Sequence, residues 1–321
     1  MSAIGGFLEL ETRRGAAGAW HCDALPLTSG RACFRAILEV SRPSKVFVPF
    51  YICECVLEPI RRLQIPFEFY GLTPSLEADR LDWPAGAAVL TVNYFDLKNR
   101  HVDRLALALG RRAIVDDTQA FFRRRRHDSF SFNSARKFFG VPDGAYAYGH
   151  GLRTLQPADR NDAAACDHLA TRLGGDMALA YRQYQAAESE VTCEILAPSR
   201  RAEDLLASVA YDEARVSRRR NFEQLHESLG ALNALALDCE LDDDAAPSCY
   251  PFLPSRPSLH EALWQREIFV PRLWPEVATR PAPGFMSERD LATRLLPLPV
   301  DHRYGAEDMQ RVCDVVREVV R

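Results

Sequence analysis

Three lysines, Lys45, Lys98 and Lys137, stand among 40 lysines and arginines, so the other 37 basic positions are arginine. Arginine keeps its proton at any working pH and cannot serve as an amine nucleophile; a desolvated lysine can. Lys137 lies in the run Ser131-Phe132-Asn133-Ser134-Ala135-Arg136-Lys137-Phe138-Phe139-Gly140, downstream of Asp116-Asp117-Thr118-Gln119. An amine beside an apolar step can hold an aldehyde as an imine. An acid closing a buried strand can keep a nearby ring nitrogen protonated. Together these are two of the demands made by pyridoxal 5'-phosphate (PLP).

The cofactor also needs an anchor for its phosphate and a contact for its ring. Ser29-Gly30-Arg31 opens a predicted helix, where free N–H groups and the helix dipole favour an anion and glycine permits close approach. The Ser131 hydroxyl could serve the same phosphate, and Gln119 could bond or flank the ring. Tyr51 and Cys53, after Pro49, are both candidates to pack on the ring face. Each residue also has an ordinary reading. Lys137 could be a snorkelling surface lysine, Asp116 a cap or turn residue, Ser29 a simple N-cap and Tyr51 a core residue. Asp117 is the rival carboxylate, pointing to the opposite side if the strand continues.

The elements that must position these groups are legible as alternating patterns. Helices are predicted over 31–40, 52–63 (with Pro59 weakening its middle) and 102–109. Extended stretches are predicted at 46–49, 66–70, 88–92, 113–115, 129–132 and 145–148. This alternation predicts an α/β fold, a mostly parallel central sheet flanked by helices. Ligands of such sheets bind beyond the carboxyl ends of the strands, where Asp116 falls. From 155 to 238 the pattern turns helical (163–172, 177–187, 213–235). A smaller α+β unit follows, with extended stretches at 249–253, 268–270 and 295–300 and helices at 259–266 and 306–320. The expected division is a large cofactor-binding domain, 1–210, and a small C-terminal domain, 211–321.

Composition narrows the class. Hydrophobic residues make up 47% and charged residues 26%, with a net charge of −4. That describes a soluble globular protein with no general attraction to nucleic acid or anionic membrane. No apolar run approaches the ~18 residues of a membrane span, and the N-terminus lacks a basic leader pattern, which predicts a cytoplasmic protein. Nine cysteines, an odd number without C-x-x-C spacing, predict reduced thiols. Neither Cys53-Glu54-Cys55 nor His21-Cys22 has a second ligand pair at zinc spacing, so no metal is expected. Dinucleotide, P-loop, nucleophile-elbow and H-E-x-x-H motifs are absent from the sequence. Arg123 to Arg126 reads as a solvated loop or a cationic rim, and Asp301-His302-Arg303-Tyr304 as a salt-bridged or substrate-contacting turn.

The order Ser29-Gly30, Asp116-x-x-Gln119, Ser131-Phe132, Lys137-x-x-Gly140 and Asp143-Gly144-Ala145 resembles the DegT–StrS family of PLP-dependent sugar aminotransferases, of fold type I. The resemblance covers residues 25 to 150. It implies that Asp116 contacts the pyridine nitrogen and Gln119 matches the family glutamine. It further implies that Ser131 with Ser29, Gly30 and Arg31 binds phosphate and that Lys137 carries the cofactor. The implied reaction moves an amino group from a donor such as glutamate to a keto acceptor, a nucleotide-linked keto-sugar, in a homodimer. The chain departs from the family in four places. Ser131 and Lys137 are one residue further apart, Arg31 replaces a hydroxyl, Cys53 replaces an aromatic, and G-Y-N-x-R is missing. Lysine at position 137 argues against the dehydratase branch, which has histidine there. The alternatives are a PLP-dependent lyase or aldolase on the same scaffold, or a binding protein of this fold without turnover.

Overall fold

The computed structural model describes residues 3–15, 18–124, 127–237, 241–255 and 259–320. Its centre is a seven-stranded sheet in the order β2-β8-β7-β6-β5-β3-β4. The strands are β2 (Leu25–Leu27), β3 (Lys45–Pro49), β4 (Phe67–Tyr70), β5 (Ala87–Val92), β6 (Ala113–Asp116), β7 (Phe130–Phe132) and β8 (Ala145–Tyr148). β8 alone runs against the others. Every residue of β5 and β6 is buried. Their unbroken apolar runs suit parallel strands covered on both faces. Val92, Asp116 and Phe132 are in register, so the carboxyl edges of β5, β6 and β7 end level.

Helix α1 (Gly30–Ser41) covers one face through Phe34, Ile37 and Leu38, which cluster with Ile114, Phe132, Ala145 and Ala147. Helix α3 (Asn99–Leu109) covers the other face, where Val102 and Ala106 meet Val115. Helix α2 (Leu57–Arg62) is shorter than the expected 52–63 and follows a 3-10 turn at Glu54–Val56. Pro59 falls in its first turn, where the missing N–H has no intrahelical partner to lose, so it starts the helix rather than breaking it.

Helices α4 (Asp167–Leu173), α5 (Met177–Glu190) and α6 (Arg200–Leu206) follow. Helix α7 (Tyr211–Leu229) ends before the expected 235, in a 3-10 turn that opens at Gly230; glycine is a poor residue for extending a helix. A second core joins Phe222, Leu225 and Leu229 of α7 to β9 (Tyr250–Phe252), β11 (Leu296–Leu298) and α10 (Ala306–Val320). Strands β9 and β11 are antiparallel, with Pro251 opposite Pro297; a two-stranded ladder tolerates proline on its outer edges. Helix α8 (His260–Trp264) and β10 (Ile268–Phe269) lie between them in sequence.

The chain start belongs to this second core: β1 (Ile4–Gly5) pairs in parallel with β10. In the other direction, Val277 and residues Leu291 and Ala292 of α9 (Met286–Arg294) pack into the central cluster. Packing therefore crosses position 211 both ways.

Candidate active site

Chain folding around Lys137 starts with the aromatics that follow it. Phe138 and Phe139 are fully buried among Phe121, Phe122 and Tyr211. Their burial draws the 3-10 turn Ala135–Lys137 inward, and the N–H groups of Phe138 and Phe139 both donate to the Ala135 carbonyl at 2.9 Å. Lys137 is left at the wall of a cavity of about 260 Å³ bordered also by Gln119, Ser134, Arg136, Tyr184 and Glu188. Its side chain is exposed and opens onto this cavity. Burial works to lower the ammonium pKa, but Tyr184, Cys53 and Glu188 outweigh it and hold the group above its ordinary value.

The two neighbouring carboxylates have different fates because successive strand residues face opposite ways. Asp117 pairs with Arg123 at 3.0 Å and accepts from Asn93 Nδ2 at 3.0 Å. Arg123 is itself buried and also pairs with Asp103, so this part of the arginine run is an internal counter-ion rather than a solvated loop or rim. Arg125 and Arg126 lie outside the described residues. Asp116 ends β6 on the α1 side, in register with Val92 and Phe132. Its Oδ1 accepts from the Thr118 N–H at 2.9 Å, and no ion pair reaches it among the described residues. Burial pushes its carboxyl up to about 6, Asp117 adds to the rise, and Thr118 and Lys137 pull against it.

The phosphate-loop residues gather less tightly. Ser29 caps α1, accepting from the Ala32 N–H at 3.1 Å and donating to the Thr192 carbonyl at 3.1 Å. It borders a neighbouring cavity of about 210 Å³ that shares Arg136 with the first. A Cβ at Gly30 would lie 3.2 Å from Thr118 Cγ2, so glycine lets the helix start sit close to the β6 end. The Arg31 side chain turns away to Glu58 at 2.9 Å. Ser131 is not brought to this group. It sits mid-strand opposite Val115 and Tyr148, on the face away from α1, while Phe130 and Phe132 beside it face α1. Ser134 does border the Lys137 cavity, as do the hydroxyl-bearing residues Tyr184 and Ser248.

Gln119 borders the cavity, and its Oε1 accepts from the Phe95 N–H at 3.0 Å. Phe95 has a left-handed backbone (φ 62°), so Gln119 also holds a strained loop in place. Tyr51 packs between Tyr94 and Trp274 in the core. Cys53 lies nearer the amine. Its thiol is pulled down to about 7, chiefly by a hydrogen bond from Cys55, with the Lys137 charge also contributing. The turn at 301–304 is both salt-bridged and at the cavity. Arg303 grips Asp301 through two bonds of 2.6 and 3.0 Å and Glu9 at 2.7 Å, and Asp301 and Arg303 border the cavity. Among the described residues no metal-binding cluster occurs, and no helix is long and apolar enough to cross a membrane.

Sequence reasoning missed Ser134, Tyr184, the Arg136–Glu188 pair and Arg218, all of which border the cavity. Tyr184 and Glu188 share a helix face at i, i+4, a spacing equally common on a solvated helix. Arg218 stands in an arginine-rich helical run that carries no local signal.

No protein-family model matches the chain, and no curated protein does. Solved structures do match. A DegT DnrJ EryC1 StrS aminotransferase from Brucella abortus is 15% identical, with a TM-score of 0.63, over 92% of this chain and 85% of that one. The aminotransferase TlmJ from Streptoalloteichus hindustanus is 14% identical, with a TM-score of 0.63, over 99% and 98%. A putative sugar aminotransferase, Spr1654, from Streptococcus pneumoniae in its PLP-form is 13% identical, with a TM-score of 0.62, over 92% and 86%. The chain thus has the α/β fold, fold type I, of the DegT/DnrJ/EryC1/StrS aminotransferases.

Proposed function

We propose that this chain is a PLP-dependent aminotransferase that moves an amino group from an amino-acid donor such as glutamate to a keto acceptor, a nucleotide-linked keto-sugar. One observation carries the reading: an open cavity presents the Lys137 amine while Asp116, within range of its charge, stays buried with no ion pair among the described residues. A buried carboxylate in that state is costly unless a cation completes it. A pyridinium N–H supplies such a partner, so the residues present fit the cofactor. When bound, PLP supplies an aldehyde for attachment and a ring that withdraws electrons.

The chain's own residues divide the remaining work. Lys137 Nζ holds the cofactor and carries the proton that must leave one carbon and reach another. Asp116 keeps the ring nitrogen protonated. The first-turn N–H groups of Gly30 and Arg31 bind phosphate at the α1 start, where helices leave such donors unused. Ser29 keeps its capping duty, and Ser134 supplies the hydroxyl expected of Ser131. Cys53 packs on the ring, and buried Phe138 with Phe139 anchors the turn that carries the amine. Residues 1–210 carry the cofactor, and 211–321 complete the cavity. A homodimer in the cytoplasm belongs to the proposal. Leu173, Met177, Leu179 and Tyr181 on and beside α4 and α5 are exposed apolar side chains that a second copy would cover.

Lys137→Ala should abolish the visible absorption band that PLP gives with the wild-type chain and leave the far-UV circular dichroism unchanged. A band that survives the substitution would assign the attachment to another amine and end this reading.

A further inference from the structure

Four histidines are buried among the described residues: His21, His101, His168 and His302. Three of them have hydrogen-bond partners. His21 bonds the Tyr148 hydroxyl at 2.6 Å and the Phe121 carbonyl at 2.7 Å. His101 Nε2 accepts from the Ala78 N–H at 3.2 Å, and His302 Nε2 bonds Glu11 at 3.0 Å. His168 is different. It is 3% exposed, its Nδ1 is buried without a partner, and no hydrogen bond reaches its Nε2 among the described residues. It stands in the first turn of α4, on the wall of the cavity that also presents Lys137 and Tyr184. Its ring centre lies 6.1 Å from that of Phe7 and 5.8 Å from that of Tyr184.

A buried imidazole with neither nitrogen bonded is costly. An apolar side chain between two aromatic rings would pack without that cost, so the cavity, not the packing, accounts for a histidine here. Burial and the Arg136 charge hold its pKa below the ordinary value, which leaves the ring neutral at pH 7. A neutral imidazole offers one donor and one acceptor. A hydroxyl can meet either nitrogen, whereas a carboxylate or phosphate can meet only the N–H. The neighbouring cation, Arg136, is already paired with Glu188. The stacked rings of Phe7 and Tyr184 add an apolar face beside the imidazole, and this mixed lining suits a polyol.

We propose that His168 hydrogen-bonds a ring hydroxyl of the sugar acceptor and so selects among sugars by the hydroxyl they present. This deepens the aminotransferase reading and rests on it for the identity of the acceptor. Phenylalanine at this position keeps a flat ring between Phe7 and Tyr184 and loses both nitrogens.

The test titrates UDP-glucose and dTDP-glucose, which cannot react, into the PLP-incubated wild type and His168→Phe by calorimetry. The matching nucleoside diphosphates serve as controls that lack the sugar. For whichever sugar binds more tightly, the expected result is at least fivefold weaker binding to the variant, with the free diphosphate unchanged. A second measurement follows the imidazole ¹⁵N resonances of histidine-labelled wild type. Those of His168 should shift on addition of the nucleotide sugar and stay in place with the diphosphate alone. Unchanged sugar affinity of a folded variant, equal losses for sugar and diphosphate, or no binding of either sugar to wild type would each overturn the proposal. If His168→Phe does not fold, the resonances decide, and unmoved resonances overturn it. A chain that answers to glutamate but binds the sugars without His168 would sink this inference alone. A chain that takes up no PLP yet binds them through His168 would sink the aminotransferase reading and leave the hydroxyl site standing.

Discussion

Asp116 and Asp117 are adjacent in sequence, equally buried and chemically identical, and the structure gives them separate duties. Burial raises both carboxyls, but Asp117 has a guanidinium and an amide against it, whereas Asp116 has one backbone N–H. An acid whose pKa rises on folding, here from 3.8 to about 6, opposes folding once it is ionised in both states. The penalty is absent below pH 3.8, grows as pH rises, and is complete above about 6, where it is worth about 3 kcal/mol. Asp116→Asn should therefore raise the melting temperature of the cofactor-free chain at pH 7.5 and leave it unchanged near pH 3.5, while abolishing transamination. Melting curves at the two pH values check this. A variant less stable than wild type at pH 7.5 would show that the carboxylate is satisfied within the chain.

The sequence read Asp116 at the carboxyl end of a buried strand, where β6 does end, and strand alternation turned Asp117 the other way. The same alternation explains why Ser131 was misplaced. Phe130 and Phe132 face α1, so Ser131 between them faces away from it, while Ser134 lies beyond the end of β7, just before the Lys137 turn.

Among the elements, the Lys137 turn depends on a segment far away in sequence. Residues 9–11 pass so close to Gly140 that a Cβ there would lie 1.6 Å from the Glu9 carbonyl oxygen. The Glu11 N–H donates to the Gly140 carbonyl at 2.9 Å. Gly140 therefore serves close approach, since its backbone is not left-handed. Gly140→Ala should cost about 3 kcal/mol or more, because the obstruction is backbone and cannot rotate away. A chemical-denaturation midpoint that falls with an unchanged slope would show it; an unmoved midpoint would mean that residues 9–11 do not seat on this turn.

Most strands and helices were legible because hydrophobic periodicity is a local property. Helix 306–320 and strand 145–148 coincide with their sequence readings. The two-residue β1 and three-residue β2 are too short to show a period, and they exist only because distant strands pair with them. The α2 start was misjudged because proline in a first turn and proline in a helix middle look alike until the cap is known.

On the scale of the whole molecule, the cavity is built from parts that sequence reading kept separate. Its wall includes Gly5 and Phe7 from the chain start, Tyr184 and Glu188 from α5, Arg218 from α7, and Pro297 from β11. Phe7 stacks on Tyr184 with ring centres 4.7 Å apart, joining the first residues to the helical region. Such closure is a property of tertiary packing and leaves no trace in local pattern. The division at 211 was read from a change in periodicity, whereas the packing shares Ile4 with the second core and Leu291 with the first.

The most direct test of the whole account is the absorption spectrum of the purified chain loaded with PLP, before and after glutamate. The account predicts a visible band that glutamate alone moves into the near ultraviolet and that added 2-oxoglutarate restores. A protein that takes up no PLP, or whose visible band is indifferent to glutamate and every other amino donor, would contradict it.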